Sequence, residues 1–288
     1  MKQMSRDGVL RKKSDGQDRF LRALYGSALG RAVLKPLVRP GLSRAAGALL
    51  STKASCVLIK PFIRHTGIDM SQYLPEQYTS YNDFFIRKIR PELRPVEMNP
   101  RMLISPCDSK LMALPIASDS RFTLKHTEYT LDAMLRNDRL AQRYQGGLCL
   151  IFRLEVDDYH RFFYICDGEK GDNVRIPGVL HTVNPLANDH YPIYKENSRE
   201  YTIVHSDIFG DVLTMEVGAL MVGKIHNHHE KAQVKRGQEK GYFLFGGSTV
   251  VMLLEKGRAI IDEDIIRNSN NGIETIVKYG EKIGIAAN

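Results

Sequence analysis

Gly241-Tyr-Phe-Leu-Phe-Gly-Gly-Ser-Thr-Val-Val-Met-Leu-Leu254 sets an aromatic, apolar run against a β-branched one, with Gly246-Gly247-Ser248-Thr249 between them. Two such runs predict buried strands joined by a small-residue bend. The paired glycines admit backbone conformations that a Cβ forbids, and they let another group approach the peptide bond. A serine held there is either a turn residue or a nucleophile on unusual backbone. Taken alone, these four residues favour the turn.

The same texture extends outward on both sides. From residue 102 onward, short apolar runs such as GGLCLIFRL (146–154), RFFYICDG (161–168) and YTIVHSDIFGDVLTMEVGAL (201–220) are separated by Gly, Pro, Asp and Asn. The pattern predicts an α+β fold whose β-rich, barrel-like core spans residues 101–288. One helix is expected over residues 130–144, where Leu131, Met134 and Leu135 share a face. After residue 257 the tail alternates Ile-rich strands with turns, and Asn271-Gly272 signals a hairpin. The chain from Ser248 to its end therefore belongs to the sheet. There is no internal repeat or low-complexity segment.

Residues 1–18 are polar and are expected to be mobile. Residues 19–50 carry Leu21, Leu24, Tyr25, Ala28 and Leu29 at helical spacing, with Arg22 and Arg31 toward a polar side, and Pro36 and Pro40 divide the run into short helices. Residues 1–65 hold 14 Lys/Arg against 3 Asp/Glu, a net of +11, while the remainder holds 27 against 30, a net of −3. Basicity concentrated at one end suggests docking on an anionic surface, nucleic acid or lipid. Residues 19–100 thus form an N-terminal helical segment that either faces a membrane, packs on its own domain, or does both. Phe84, Phe85, Arg87 and Lys88 could add to such a surface. No apolar run is long enough to span a bilayer, and the first fifteen residues do not resemble a signal peptide.

The 288 residues, 43% hydrophobic and 26% charged, suffice for a sizeable core. Cys56, Cys107, Cys149 and Cys166 form no CxxC pair, which points to free thiols and away from a zinc site. The cluster Gly223-Lys-Ile-His-Asn-His-His229 invites a metal, yet His226 and His228 alternate along a strand and loop with no HExxH pattern. A solvated or substrate-facing loop is the better reading, and no metal is assigned.

Three polar residues lie at strand edges. Asp108 follows the turn forced by Pro106, His160 separates two strands, and Ser248 starts another. A carboxylate, an imidazole and a hydroxyl on separate loops are the ingredients of a nucleophilic triad, although each also has an ordinary structural use.

Seven stretches in order carry a resemblance. They are the residues 84–95 (FFIRKIRPELRP), Ser105-Pro-Cys-Asp108, Asp158-Tyr-His-Arg161, Val183-Asn-Pro185, Val217-Gly-Ala-Leu-Met-Val-Gly-Lys-Ile225, Lys235-Arg-Gly-Gln-Glu-Lys-Gly241 and Phe245-Gly-Gly-Ser-Thr-Val-Val251. Together, across residues 25–284, the sequence resembles the phosphatidylserine decarboxylases, in particular a bacterial subgroup with a Gly-Gly-Ser-Thr motif. One departure is that many members carry a second histidine three residues after the Asp-Tyr-His histidine, where this chain has Phe163.

The resemblance implies a self-processing proenzyme. His160, oriented by Asp108, takes the Ser248 proton, and the oxygen attacks the Gly247 carbonyl to turn the peptide into an ester. Elimination then releases a β chain of 1–247 from an α chain of 248–288, and loss of ammonia leaves a covalent pyruvoyl group in place of Ser248. That ketone forms an imine with the serine headgroup and supplies the electron sink for loss of CO2, as pyridoxal phosphate does elsewhere; no metal and no pyridoxal phosphate are implied. His160 is also the expected acid for reprotonating the product carbon. The implied partners are phosphatidylserine in an anionic membrane, the α/β chain pair itself and a homo-oligomer. The implied location is peripheral on the cytoplasmic face of the cell membrane, with no transmembrane helix. Nucleic acid is disfavoured, since no basic stripe with stacking aromatics exists outside the N-terminal region. Two alternatives stand beside this one: an inactive lipid-surface binding module on the same fold, and a serine hydrolase using Asp108, His160 and Ser248. The hydrolase lacks a GxSxG elbow and puts a strand after the serine.

Overall fold

The strand Ser248–Leu254 is buried along its whole length, and the core is built outward from it. It pairs antiparallel with Gly210–Val217 on one side and Leu148–Leu154 on the other. Beyond Leu148–Leu154 come Ser109–Pro115 and then Glu274–Val277, both antiparallel. A strand covered on both faces needs apolar side chains at every position, which accounts for the unbroken Val-Val-Met-Leu-Leu run. The computed structural model describes residues 2–11, 21, 23–124, 127–184, 187, 190–219, 225–244 and 248–287. Phe245, Gly246, Gly247, Pro185 and residues 220–224 of the motifs above lie outside these, as do Arg19 and Arg22.

Among the described residues the main sheet has eleven strands, ending at Ala232–Val234 and at Leu10–Arg11. These end strands do not pair with each other, so the expected barrel is here an open sheet. A three-stranded sheet of Ile225–Asn227, Glu239–Phe243 and Arg161–Phe163 packs against it, with Phe162 and Phe243 in the shared core. One end of the main sheet gathers the residues of interest. Ser109 and Ser248 begin their strands there, and Leu154, Val217 and Val277 end theirs. The pairings Val277–Ser109, Ser248–Leu154 and Val217–Thr249 fix that alignment.

Local chemistry departs from the expected pattern in three places. Residues 130–144 form two helices, Leu131–Leu135 and Asp138–Arg143, because Arg136 turns left-handed and the Asn137 side chain caps the second at the Leu140 amide. Asn271-Gly272 closes a helix, Glu263–Asn270, in place of a hairpin. Acids in its first turn and Arg267 in its last suit the helix dipole, and Gly272 takes the positive φ of a helix stop. Within the tail expected to be mobile over residues 1–18, Gln3–Met4 runs parallel to Glu274–Thr275 with Leu10–Arg11 folded back on it, while residues 1 and 12–18 lie outside the described residues.

The N-terminal segment is helical as expected, with helices Ala28–Leu37, Pro40–Leu50 and Ile59–Thr66. Pro36 sits within the last turn of the first helix and Pro40 opens the second, so the break falls at Val38-Arg39. Leu21, Leu24, Tyr25, Leu34 and Val38 join the main core, and Leu50 packs with Tyr81, Phe84 and Phe85. The arm is therefore docked on the domain. Its outer side leaves Leu29 78%, Leu49 67% and Val57 75% exposed. Phe84, Phe85 and Arg87 do not extend that surface, because all three are buried. Among the described residues no single helix is long and apolar enough to cross a membrane; residues 41–50 and 53–66 pass such a test only as a pair bent by 83°.

Candidate active site

Ser248 opens its strand opposite Leu154, fully buried, and its Oγ has no hydrogen-bond partner among the described residues. Burying a hydroxyl unpartnered costs about 1–3 kcal/mol, so the position is not explained by stability. Gly246 and Gly247, the other residues of the predicted cleavage site, lie outside the described residues. The chain enters that segment from Phe243, whose amide donates to the His160 carbonyl at 3.0 Å. The leaving end of Leu148–Leu154 continues through residues 155–159 to His160. His160 and Ser248 are thereby brought to one end of the sheet from two directions.

His160 is buried against the Phe85 ring, with centroids 4.1 Å apart. Its Nδ1 lies 3.0 Å from the Asp158 carbonyl oxygen. A carbonyl only accepts, so Nδ1 carries the proton and Nε2 presents a lone pair. That Nε2 is buried and unpartnered among the described residues. Burial, helped by the Arg87 charge, pushes the imidazole down to about 3, which keeps it neutral at physiological pH, with the Nε2 lone pair free to accept a proton.

Asp108 is brought to the same end but does not orient His160. Its carboxylate accepts from Arg94 Nε at 2.9 Å and Nη2 at 2.6 Å, from Lys278 Nζ at 3.3 Å and from the Tyr279 amide at 2.9 Å. With those donors in place, neither oxygen turns to His160, and the orienting acceptor is the main-chain oxygen of Asp158. These donors hold the Asp108 carboxyl below the usual carboxylate range despite its burial. Phe163 stacks on the Tyr279 ring with centroids 3.6 Å apart. The position beside the Asp108 cluster is thus apolar here, and His160 is the histidine left at the Ser248 end.

Several residues that serve this site were given no role in it by the sequence. The Asp158 carboxylate takes two bonds from Lys110 Nζ, at 2.7 and 2.5 Å, and one from the Glu155 amide at 2.7 Å, which fixes the loop before His160. Arg87, buried, reaches the Asp157 carbonyl at 3.3 Å and lies over the Tyr73 ring. The histidine cluster is accounted for without metal. His226 stacks on Tyr242 and His228 Nε2 lies 2.7 Å from Glu239. Among the described residues no group of three or more His, Cys, Asp or Glu is arranged to hold an ion.

The family profile for phosphatidylserine decarboxylase matches residues 81–285. Similar curated proteins include phosphatidylserine decarboxylase proenzyme 2 of Clostridium acetobutylicum, 46% identical over 92% of this chain and 91% of its own length. The phosphatidylserine decarboxylase proenzyme of Clostridium novyi is 39% identical over 93% and 92% of the two chains, and that of Fusobacterium nucleatum is 39% identical over 92% and 90%. With the profile covering most of the chain and these relatives nearly all of it, the chain belongs to the phosphatidylserine decarboxylase family.

Proposed function

We propose that the chain is a proenzyme that cuts itself between Gly247 and Ser248 and then converts phosphatidylserine to phosphatidylethanolamine and CO2. The observation that carries this is a buried serine hydroxyl and a buried imidazole nitrogen, both unpartnered among the described residues, at one sheet end of a chain from this family. The names of the curated relatives describe proenzymes, which is consistent with self-cutting.

In the first reaction His160 Nε2 takes the hydroxyl proton of Ser248. The oxygen bonds to the Gly247 carbonyl carbon, the Gly247–Ser248 C–N bond breaks, and the amine leaves with a proton. Elimination and hydrolysis with loss of ammonia follow. A pyruvoyl group derived from Ser248 fits the position, because Ser248 heads a fully buried strand and its only polar side-chain atom makes no bond that conversion would break. Such a ketone supplies the electron sink that no ordinary side chain offers. The protein's own part is to hold the new terminus. Ser248–Leu254 stays clamped between two strands of the larger fragment, and Glu274–Val277 between Ser109–Pro115 and Gln3–Met4. Arg6 adds bonds to the Lys282 carbonyl at 2.8 Å and Asp262 at 2.9 Å. Asp108 acts by position, binding Arg94 of the larger fragment and Lys278 and Tyr279 of the smaller.

The exposed apolar side of the N-terminal helices, flanked by exposed Arg44, Lys53 and Lys60, suits a peripheral site on the anionic cytoplasmic face of the cell membrane, where the substrate lies. Intact-mass measurement of freshly purified protein tests the central reading. Two fragments are expected, 1–247 and a smaller one with a blocked terminus, and Ser248→Ala should give one uncut chain. Normal cutting of Ser248→Ala would rule out the mechanism, and an uncut wild type would leave the inactive lipid-binding module.

A further inference from the structure

Besides Ser248 Oγ and His160 Nε2, the buried polar atoms near this end of the sheet that lack a partner among the described residues include Thr249 Oγ1, Arg87 Nε and Glu216 Oε1, and of these the Glu216 atom belongs to a carboxyl group able to carry a proton. Glu216 pairs with Val250, and Val217 with Thr249, so Glu216 shares a sheet face with Val250 and Ser248. It is the diagonal neighbour of Ser248, a spacing of roughly 7–8 Å that long side chains bridge.

The other oxygen of Glu216 is held firmly. Lys240 Nζ donates to Oε2 at 2.8 Å and to Asn227 Oδ1 at 2.6 Å, while Asn227 Nδ2 donates to Oε2 at 3.3 Å. Lys240 reaches inward because it is the additional residue of a β-bulge. Glu239 pairs with Phe163 and Gly241 with Phe162, two steps against one. Both Glu216 and Lys240 are buried. A buried ion pair contributes little stability compared with an apolar pair of the same size, so packing alone does not account for it.

The reaction proposed above needs a group that takes a proton from the headgroup and returns one to its carbon. The open Glu216 oxygen, on the sheet face of Ser248, is placed to do both. Burial raises the Glu216 carboxyl above its ordinary value, against the pull of Lys240.

We infer that Glu216, held by Lys240 and Asn227, is the residue that exchanges protons with the serine headgroup. The inference rests on the decarboxylase reading. The headgroup arrives as an ammonium and gives one proton to Glu216 Oε1, which leaves a neutral amine. When the Cα–carboxyl bond breaks, CO2 departs and the bonding pair stays with the carbon. Glu216 returns its proton there, a C–H bond forms, and Glu216 is again the carboxylate paired with Lys240. The proton consumed overall is taken from water by the released amine.

Three preparations test this: the wild type, Glu216→Gln, and the neutral pair E216Q/K240M. Glu216→Gln is expected to be cut into the two fragments normally yet to turn over short-chain phosphatidylserine about 100-fold more slowly or worse. Adding short-chain phosphatidylethanolamine to the processed wild type should produce an infrared band of a protonated carboxyl, which is absent in Glu216→Gln. Near-normal turnover by Glu216→Gln overturns the inference, as does a wild-type difference spectrum without that band. Should both variants remain uncut, the wild-type spectrum still decides. A wild type that is uncut or does not decarboxylate phosphatidylserine defeats the underlying reading, a result distinct from a failure of Glu216 alone.

Discussion

At one end of the main sheet the Asp108 carboxylate receives hydrogen bonds from Arg94, Lys278 and Tyr279, while two strands away the Ser248 hydroxyl has none among the described residues. Both groups are buried, both come from the ends of strands, and both belong to the triad expected from sequence. The satisfied group ties two parts of the chain together; the unsatisfied one costs stability where it stands. Burial alone therefore does not separate these two groups; the lack of a partner among the described residues does. His160 falls on the Ser248 side of that divide, since one nitrogen is fixed by the Asp158 carbonyl and the other is left open.

The largest expected effect follows from that division. His160→Ala removes the open nitrogen, and the rate of self-cutting should fall by roughly 10²–10⁴-fold, the usual contribution of a general base. A time course of fragment appearance on a denaturing gel measures it. Normal cutting would take His160 out of the reaction and leave its unpartnered nitrogen without an explanation.

Stability should separate the same two groups in the opposite order. Asp108→Ala leaves the Arg94 guanidinium unpaired in a buried setting and should cost about 3–5 kcal/mol. Ser248→Ala deletes a hydroxyl that binds nothing and should cost little or be slightly stabilising. Urea unfolding of the two variants gives both values directly. Equal losses would show that the Ser248 hydroxyl is satisfied by something other than the described residues.

A subtler expectation concerns pH. The His160 imidazole sits at about 3 in the fold against an ordinary 6.5. Its depressed value means that the unfolded chain takes up a proton below 6.5 that the folded chain refuses. The stability associated with the neutral imidazole is thus present above 6.5 and is lost as pH falls toward 3. The base form survives across that whole window, so the cutting rate of freshly folded precursor should show no inflection near 6.5. A titration of the rate with its midpoint there would place the proton acceptor elsewhere.

Much of this was legible in the sequence, and the exceptions share a cause. Ser248, His160 and Asp108 stand out because glycine, proline and acid neighbours mark strand ends, and the β-rich core follows from period and composition. The bond orienting His160 was not legible, because it comes from the Asp158 main chain, and every residue has a carbonyl. The Glu216–Lys240 pair was hidden in a similar way. A one-residue bulge turns Lys240 inward, and strand alternation read from sequence cannot anticipate where a bulge falls. Arg87 was assigned to the surface because basic residues mostly lie there; its place beside His160 depends on long-range packing of residues 84–87 under the N-terminal helices. The two short helices replacing one over residues 130–144 turn on Asn137, a residue whose capping role competes locally with helix continuation.

The smallest effect on chemistry is expected on the exposed face of the helical arm. Leu29, Leu49 and Val57 are exposed on the helical arm, whereas Leu34, Val38 and Leu50 on the same helices are buried. Replacing the first three with serine removes apolar area that touches no other part of the fold, so folding and self-cutting should be unchanged. Binding to vesicles containing anionic lipid should weaken, because each apolar side chain that enters a bilayer contributes about 1.5–3 kcal/mol when fully buried. Exposed Arg44, Lys53 and Lys60 supply the complementary attraction, about 1 kcal/mol per charge near an anionic surface, and high salt should weaken whatever binding remains. Sedimentation with vesicles, with and without salt, reads both contributions. If the triple serine variant bound as well as the wild type, the exposed face would not be the membrane contact, and the division between a buried reactive end and an apolar docking arm would have to be drawn elsewhere.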